Sequence, residues 1–241
     1  MRDALVVQNV QFAYPKGKPV LKGVSFSLPE GSVIGLVGDS GCGKSTLCGI
    51  LCGMIPYIIG GDLYGDAEIF GEHLRDMTVA EIVKKVGFVM QDPDRMIVSS
   101  TVEDELAFGP EGLCLPPEEI QTRVDDVLKL LKIEELRLTD PNHLSGGQKQ
   151  RVALGSVLTC DPGLIIMDEP FSALDREGRK NLKAIIQTLS DQGKTILIVE
   201  HDYDNIDFAD QWIWLKDGVV AMADVPAKVR PVIEEAMNYG Y

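Results

Sequence analysis

Short apolar runs recur along this chain, and helical patterns or polar loops separate them. They cover residues 32–37, 86–90, 164–167 and 195–199. A run that is apolar at nearly every position is typical of a strand buried on both faces of a parallel sheet. Parallel strands need long crossover connections, which are usually helices. The pattern therefore predicts an α/β fold with a mostly parallel core sheet.

Other segments predict strands in a different environment. Residues 5–14 and 24–28 alternate between apolar and polar positions, and a turn cluster rich in Pro and Gly separates them. Short apolar pieces between the glycines of residues 60–71 indicate further small strands. Residues 213–221 are predicted to form a hairpin, because an Asp-Gly turn divides two apolar segments there.

Helical periodicity is concentrated in the middle of the chain. Apart from a helix that starts at Lys44, the predicted helices cover residues 79–85, 101–106, 117–132, 146–158 and 178–190. Three of them follow one another without an intervening strand pattern. We therefore expect one domain over residues 1–241, in which a helical subdomain at about 96–160 interrupts a core at about 1–95 and 160–241.

The charge balance limits the partners that this chain can bind. Its 37 acidic residues exceed its 23 basic ones, and the formal net charge is −14. A nucleic acid partner requires a basic face, so we expect none. A single nucleotide remains possible, because a few backbone N–H groups and one lysine can form a local positive pocket.

The sequence also bears on location. Its apolar runs are far shorter than the roughly 18 residues that a membrane span needs, and its first residues lack the apolar core of a signal peptide. The five cysteines include no C-x-x-C pair, which suits free thiols in a reducing compartment. We expect a cytoplasmic protein, which another chain must hold if it acts at a membrane.

The strongest local signal is the pattern G-x-x-x-x-G-K-[ST], directly after the first apolar run. It consists of Gly38, Asp39, Ser40, Gly41, Cys42, Gly43, Lys44 and Ser45. Glycines let the backbone curl so that its N–H groups point at phosphate oxygens. Lys44 adds a point charge, Ser45 can ligate Mg²⁺, and the following helix contributes its N-terminal dipole. Thr46, the next residue, is included among the expected nucleotide contacts.

Two carboxylates end the apolar run at residues 164–167. They are Asp168 and Glu169. Ligands of α/β proteins bind at the carboxyl ends of the strands, so Asp168 is expected to reach the Mg²⁺ ion. Glu169 is expected to polarise a water molecule for attack on the γ-phosphorus.

Residues 144–148 read LSGGQ, and they precede the two carboxylates in the chain. This segment resembles the signature motif of ATP-binding cassette (ABC) ATPases, which are P-loop NTPases. The resemblance covers essentially the whole chain, and other motifs of that family match in order. The matching positions are Tyr14, Gln91, the SALD segment at 172–175, and His201. The resemblance implies a mostly parallel core sheet, a small antiparallel β-subdomain and a helical signature subdomain.

The resemblance implies a role for each matching side chain. Tyr14 is expected to stack on the adenine of ATP. Gln91 is expected to contact Mg²⁺ or the attacking water and to report the nucleotide state to a partner. His201 is expected to contact the γ-phosphate and to position the water together with Glu169, while Lys44 binds the β- and γ-phosphates.

The signature segment implies a dimer. Its residues Ser145, Gly146, Gly147 and Gln148 are expected to contact a nucleotide held by another subunit, with Ser145 and Gly147 on the γ-phosphate. Asp175 is expected to cross the same interface. A single copy of the two motifs cannot close an ATP site, so the resemblance implies a homodimer or a heterodimer with a second ABC ATPase.

Residues 91–110 and 115–119 are similar to those of the ATPases of energy-coupling factor (ECF) transporters, which import vitamins or transition-metal ions such as cobalt or nickel. This resemblance implies an integral membrane subunit bound through residues 91–110, with a substrate-binding membrane component reached indirectly. The acidic residues 103–105 are expected to meet basic residues of that subunit. Met96 departs from the group, in which a polar residue is common.

Three alternatives remain open at this point. The chain could be the ATPase of another ABC transporter class, or a soluble ABC ATPase that acts in translation or DNA repair. The soluble classes usually join two cassettes or insert a long coiled coil, and this sequence shows neither feature. A nucleotide-binding module without hydrolysis is opposed by Glu169, His201 and the complete signature.

Overall fold

A computed structural model of the protein describes residues 2–172 and 174–239. In this part of the chain the strands are β1 (Asp3–Ala13), β2 (Pro19–Pro29), β3 (Val33–Val37), β4 (Asp62–Ile69), β5 (Glu72–His73), β6 (Val86–Val89), β7 (Leu164–Asp168), β8 (Thr195–Glu200), β9 (Gln211–Lys216) and β10 (Val219–Asp224). The helices are α1 (Lys44–Leu51), α2 (Val79–Lys85), α3 (Val102–Gly112), α4 (Pro117–Leu131), α5 (Gly146–Leu158), α6 (Arg176–Asp191) and α7 (Pro226–Tyr239).

A mostly parallel sheet has the strand order β10-β9-β3-β8-β7-β6. Strand β8 pairs in parallel with β3 on one side and with β7 on the other, and only β10 runs antiparallel to its neighbour. Every residue of β3 and β8 is buried. The structure thus confirms the parallel core sheet expected from the short apolar runs, and the hairpin near the end of the chain.

The two faces of this sheet pack against different layers. On β8, Ile196 and Ile198 belong to the hydrophobic cluster that includes residues of α4, α5, α6 and α7. Leu197 and Val199 belong to the cluster that includes residues of α1, β1 and β2. Successive side chains of a strand point to opposite faces, so an all-apolar strand supplies both layers.

An antiparallel sheet with the order β2-β1-β4-β5 forms the second layer. Residues 60–71 were expected to form several small strands, but most of them lie in the single strand β4. The strand continues through Gly65 because a shift in register occurs opposite Asn9, where β1 bulges. Gly65 has φ +85°, and a Cβ atom there would lie 2.3 Å from the Asn9 carbonyl oxygen. Glycine therefore marks a bulge here and not a strand end.

Helices α3, α4 and α5 follow one another between β6 and β7 and pack together. Ion pairs fasten this group, because the Arg137 guanidinium lies 2.7 Å from carboxylate oxygens of both Glu103 and Asp125. Helix α3 is longer than expected and runs to Gly112, with Pro110 inside its last turn. No described helix has the length and apolar character needed to cross a membrane.

Helix α7 was not anticipated from the sequence. Its Val229 and Ile233 are fully buried against the core cluster. These two residues lie four apart, and Pro226 begins the helix, where its missing N–H costs no hydrogen bond. The periodicity was therefore present, but it rests on too few apolar residues to stand out.

One buried carboxylate orders the loop between β6 and α3. The side chain of Glu105 is 3% exposed, and its Oε2 atom accepts hydrogen bonds from the backbone N–H groups of Val98 and Ser99, both at 2.9 Å. The same loop leaves the Val98 side chain 71% exposed. Glu105 therefore fixes a segment that presents an apolar side chain to solvent.

We expect Glu105→Met to lower the free energy of unfolding by about 1–2 kcal/mol, because two backbone N–H groups lose their acceptor. Urea denaturation measures the change. Glu111→Met is the matched control, since Glu111 is exposed on the same helix, and its unfolding curve should stay close to that of the unmodified protein. Equal stability of the two variants would contradict this assignment.

Candidate functional site

The glycine-rich loop joins β3 to α1 at the carboxyl edge of the core sheet. Its three glycines have positive φ angles, +152° at Gly38, +80° at Gly41 and +112° at Gly43. A Cβ atom on Gly38 would lie 2.2 Å from the Leu215 carbonyl oxygen, and one on Gly43 would lie 2.6 Å from Leu21. Both backbone conformation and packing therefore require glycine here.

Lys44 lies across this loop. It is 8% exposed, and its ammonium group donates hydrogen bonds to the carbonyl oxygens of Gly38 at 2.7 Å and Asp39 at 3.0 Å. The charge is thus held inside the curl of the backbone. Burial raises the pKa of the neighbouring Cys42 thiol, while the charge of Lys44 opposes that rise. The loop therefore carries one buried positive charge beside a thiol that favours its neutral form.

The first turn of α1 divides its side chains between solvent and the protein. Ser45 is exposed, as are Asp39 and Ser40 in the loop. Thr46 is buried, and its hydroxyl lies within hydrogen-bond distance of the Tyr14 hydroxyl, at 3.0 Å. Tyr14 also packs edge-on against Phe12. The predicted adenine contact thus lies beside the first turn after the phosphate loop.

Glu169 lies at the centre of a polar cluster. Its Oε2 atom accepts a hydrogen bond from Gln91 Nε2 at 2.7 Å, and its Oε1 atom lies 3.2 Å from His201 Nδ1. The backbone of Glu169 has φ +46°, and its N–H donates to the Val199 carbonyl oxygen at 2.9 Å. A left-handed conformation is strained for a residue other than glycine, and such strain clusters at functional sites. The structure brings together three of the four predicted catalytic side chains, Gln91, Glu169 and His201, while Lys44 lies in the glycine-rich loop.

Asp168 ends β7 next to this cluster. Burial raises the pKa of its carboxyl group above the usual value, and the negative charge of Glu169 adds to the rise, while Lys44 opposes it. The Asp168 carboxylate thus lies near both the Glu169 carboxylate and the buried lysine. A cation bound between the two carboxylates would relieve their repulsion.

Glu200 also belongs to this region, although the sequence analysis did not select it. It is 1% exposed at the end of β8, and its Oε2 atom accepts hydrogen bonds from the backbone N–H groups of His201 at 3.2 Å and Asp202 at 3.4 Å. Burial raises the pKa of its carboxyl group, and those N–H groups oppose the rise. The available signal was a charged residue closing an otherwise apolar strand.

The signature residues lie at the start of α5. Ser145 is the N-cap: its hydroxyl accepts from the Gln148 backbone N–H at 3.4 Å, and the Gln148 side chain accepts from the Ser145 backbone N–H at 2.8 Å. Gly146 and Gly147 form the first helical turn, whose N–H groups have no partner within a helix. Among the described residues, no hydrogen bond joins this turn to the glycine-rich loop.

Asp175 lies across a cavity from the signature. It caps α6, since its Oδ1 atom accepts from the Gly178 backbone N–H at 2.7 Å. Asp175, Ser145 and Gly147 are among the residues that line this cavity of about 400 Å³. Ala173 of the predicted SALD segment lies outside the described residues.

The glutamine segment contacts the signature helix directly. The Asp94 carboxylate pairs with the Lys149 ammonium on α5 at 2.5 Å. Met96, where a polar residue was expected, places its sulfur 3.2 Å from the Met90 backbone nitrogen, and the Met90 N–H donates to it. A weak thioether acceptor therefore replaces a stronger polar partner in this turn.

Known proteins are similar to this chain in sequence. A profile of the ABC transporter family matches residues 21–172, more than half of the chain. The energy-coupling factor transporter ATP-binding protein EcfA of Carboxydothermus hydrogenoformans is 41% identical over 93% of this chain and 82% of its own length. EcfA1 of Ligilactobacillus salivarius is 37% identical over 99% of this chain and 83% of its own length. Some relatives are much longer, and the chain spans 37% of one from Methanosarcina acetivorans.

Solved structures show the same fold. The structure of cbiO1 from Clostridium perfringens, part of the ABC transporter complex cbiONQ, has a TM-score of 0.86 at 30% identity, covering 98% of this chain and 95% of its own. A dimeric, post-hydrolysis structure of the ATP-binding cassette MJ0796 with ADP and Pi has a TM-score of 0.80 at 29% identity, covering 92% and 98%. This chain therefore belongs to the ABC transporter family, as an ATP-binding and ATP-hydrolysing cassette similar to those of energy-coupling factor transporters.

Proposed function

We propose that this cassette hydrolyses ATP at a dimer interface to power import of a small solute, a vitamin or a transition-metal ion, by an ECF-type transporter. The observation that carries the catalytic part is the position of Glu169 between Gln91 and His201. Both the hydrogen bond from Gln91 and the contact with His201 fix the carboxylate beside the phosphate loop. The likeness to EcfA proteins supports the ECF part.

Each group of the cluster has a proposed task in hydrolysis. Glu169 polarises the attacking water, and Gln91 and His201 orient that water and the γ-phosphate. Lys44, already held inside the loop, exchanges its carbonyl acceptors for phosphate oxygens. Tyr14 stacks on the adenine beside Thr46. Such positioning and charge compensation supply most of the catalysis of phosphoryl transfer.

The residues present fit a magnesium ion that accompanies ATP. Mg²⁺ prefers hard oxygen ligands, and the site offers the Ser45 hydroxyl, the Gln91 amide oxygen and the Asp168 carboxylate. The repulsion between Asp168 and Glu169, which contributes to the raised pKa of Asp168, favours a cation at this place. A magnesium ion held by these residues would supply positive charge to the phosphate oxygens.

A second cassette completes the proposed site. The first turn of α5 presents the N–H groups of Gly146 and Gly147, which suit a γ-phosphate held by another subunit. The dimer of the similar cassette MJ0796 supports this arrangement. We propose a homodimer or a heterodimer with a related ATPase, in which Ser145, Gln148 and Asp175 also face the partner.

The proposed membrane partner binds residues 91–110. This segment crosses from the predicted core, at about 1–95 and 160–241, into the predicted helical subdomain, at about 96–160. This segment exposes two large apolar side chains, Val98 at 71% and Phe108 at 62%. Of the acidic residues 103–105, Asp104 is exposed, whereas Glu103 is half-buried in its ion pair with Arg137 and Glu105 is buried. An apolar contact with an acidic border fits a basic, partly apolar element of a membrane subunit. The cassette then lies peripherally at the cytoplasmic face.

Replacement of the loop lysine tests nucleotide binding. We expect Lys44→Ala to weaken ATP binding about 100-fold, because the phosphates lose their buried positive charge. Titration with a fluorescent ATP analogue measures the affinity. Lys84→Ala, an exposed lysine of α2, is the control and should bind normally. Unchanged affinity in Lys44→Ala would remove the lysine from the proposed site.

Replacement of the central carboxylate tests hydrolysis. We expect Glu169→Gln to bind ATP normally and to lower kcat about 10²- to 10⁴-fold, because the amide cannot take a proton from water. Phosphate release measures turnover, and size-exclusion chromatography with ATP should show an accumulated dimer. Glu118→Gln, on the exposed face of α4, should leave both unchanged. Normal turnover in Glu169→Gln would contradict the assignment.

Replacement of exposed apolar residues tests the membrane partner. When the tagged protein is solubilised from its own cells, mass spectrometry should identify an integral membrane subunit. Phe108→Glu should lower its recovery about tenfold, because a charge replaces buried apolar contact area. Tyr64→Glu, exposed on the antiparallel sheet, is the control. Recovery of ribosomes or DNA without a membrane subunit would overturn the ECF proposal.

A further inference from the structure

Glu200 lies at the carboxyl edge of the core sheet, the edge that carries the proposed catalytic residues. Its strand β8 lies between β3, which leads into the phosphate loop, and β7, which leads into Glu169. In the parallel register Glu200 is opposite Val37, the last residue before Gly38. Its side chain continues the sheet face of Ile196 and Ile198, in the cluster that also holds Phe171. Glu200 thus places a carboxylate at the end of a strand whose five preceding residues are uncharged.

The contacts of Glu200 converge on the loop that carries the proposed histidine. One atom, Oε2, accepts the backbone N–H groups of both His201 and Asp202, the first two residues after the strand. These bonds fix the direction in which the chain leaves β8. The His201 imidazole is exposed, and among the described residues its side-chain contact is the one from Nδ1, the ring nitrogen nearer the backbone, to Glu169 at 3.2 Å. The two hydrogen bonds to Glu200 thus fix the backbone position from which the imidazole extends.

The other carboxylate oxygen of Glu200 makes no comparable stabilising contact. Among the described residues, Oε1 has no hydrogen-bond partner, although it is buried. A buried polar atom without a partner costs free energy, and this cost offsets part of what the two hydrogen bonds at Oε2 contribute. Stability alone is therefore a weak reason for a glutamate at this position. Costly buried groups of this kind are found where function requires them.

We propose that Glu200 is a positioning residue for ATP hydrolysis, which holds His201 at the attacking water by accepting the N–H groups of His201 and Asp202. The inference rests on the proposed role of His201. Glu200 itself lies behind the loop, so it acts through the histidine and takes no part in the chemistry. The essential property is an acceptor at Oε2, and the negative charge is not required.

Two substitutions separate the acceptor from the shape of the side chain. Glu200→Gln keeps an oxygen acceptor, and we expect kcat to stay within about threefold of the unmodified protein. Glu200→Met keeps the length without the acceptor, and we expect kcat to fall about 10- to 100-fold, as small misplacements of catalytic groups do. In Glu200→Met, ATP affinity should be unchanged, and the unfolding midpoint should fall no further than in Glu105→Met, which also loses the acceptor of two backbone N–H groups. A structural role alone would lower activity, affinity and unfolding midpoint together.

The dependence on His201 is tested in a double-mutant cycle. His201→Ala should lose hydrolysis, and adding Glu200→Met to it should cause no further loss, because both changes remove the same function. Normal hydrolysis in His201→Ala would refute the proposed function of the histidine. An inactive His201→Ala with a fully active Glu200→Met would refute the positioning role alone. A folded Glu200→Gln that loses turnover by tenfold or more would also refute it, whether or not Glu200→Met folds.

Discussion

The parallel pairing of β8 with both β3 and β7 is the constraint on which the site depends. Val37 lies opposite Glu200 in one pair, and Asp168 lies opposite Val199 in the other. Parallel strands end at the same edge of a sheet, so the residues that follow these three strands must be neighbours. The phosphate loop, Glu169 and His201 are distant in the chain and adjacent in the fold for this reason. Fully buried side chains on both faces fix the register, and a slip by one residue would exchange the two hydrophobic layers.

This edge also concentrates the unfavourable interactions of the fold. Glu169 has a left-handed backbone, Asp168 has a raised pKa from burial and from the charge of Glu169, and Glu200 holds a buried oxygen without a described partner. None of these features stabilises the cassette. The all-apolar strands beneath them, with their continuous packing, supply the stability that makes such an arrangement tolerable. The energetically unfavourable features therefore lie at the same edge of the sheet as the sequence motifs.

The sequence predicted those parts of the fold that follow from local patterns. Apolar runs identified the buried strands, and the glycine, lysine and serine spacing identified the phosphate loop before any contact was known. It did not predict features that arise from tertiary contact. Residues 60–71 were expected to form several small strands, because the bulge that lets β4 continue through Gly65 depends on pairing with β1. Helix α7 escaped notice because two buried residues carry most of its packing. Glu200 was not selected, because its burial, which distinguishes it, becomes visible only in the structure.

Within one cassette, an ion pair links the signature helix to the region of the proposed catalytic carboxylate, although the two are proposed to serve different nucleotides. Lys149 lies on the signature helix, and its ion pair with Asp94 ties that helix to the segment that follows Gln91. Gln91, three residues before Asp94, donates to Glu169, so two polar contacts joined by a short stretch of backbone link the signature helix to the proposed catalytic carboxylate. In the proposed dimer the start of that helix receives the partner's nucleotide, while residues 91–110 receive the membrane subunit. Movement of either partner would therefore act on the same short segment beside Glu169, which gives a physical route for coupling hydrolysis to transport.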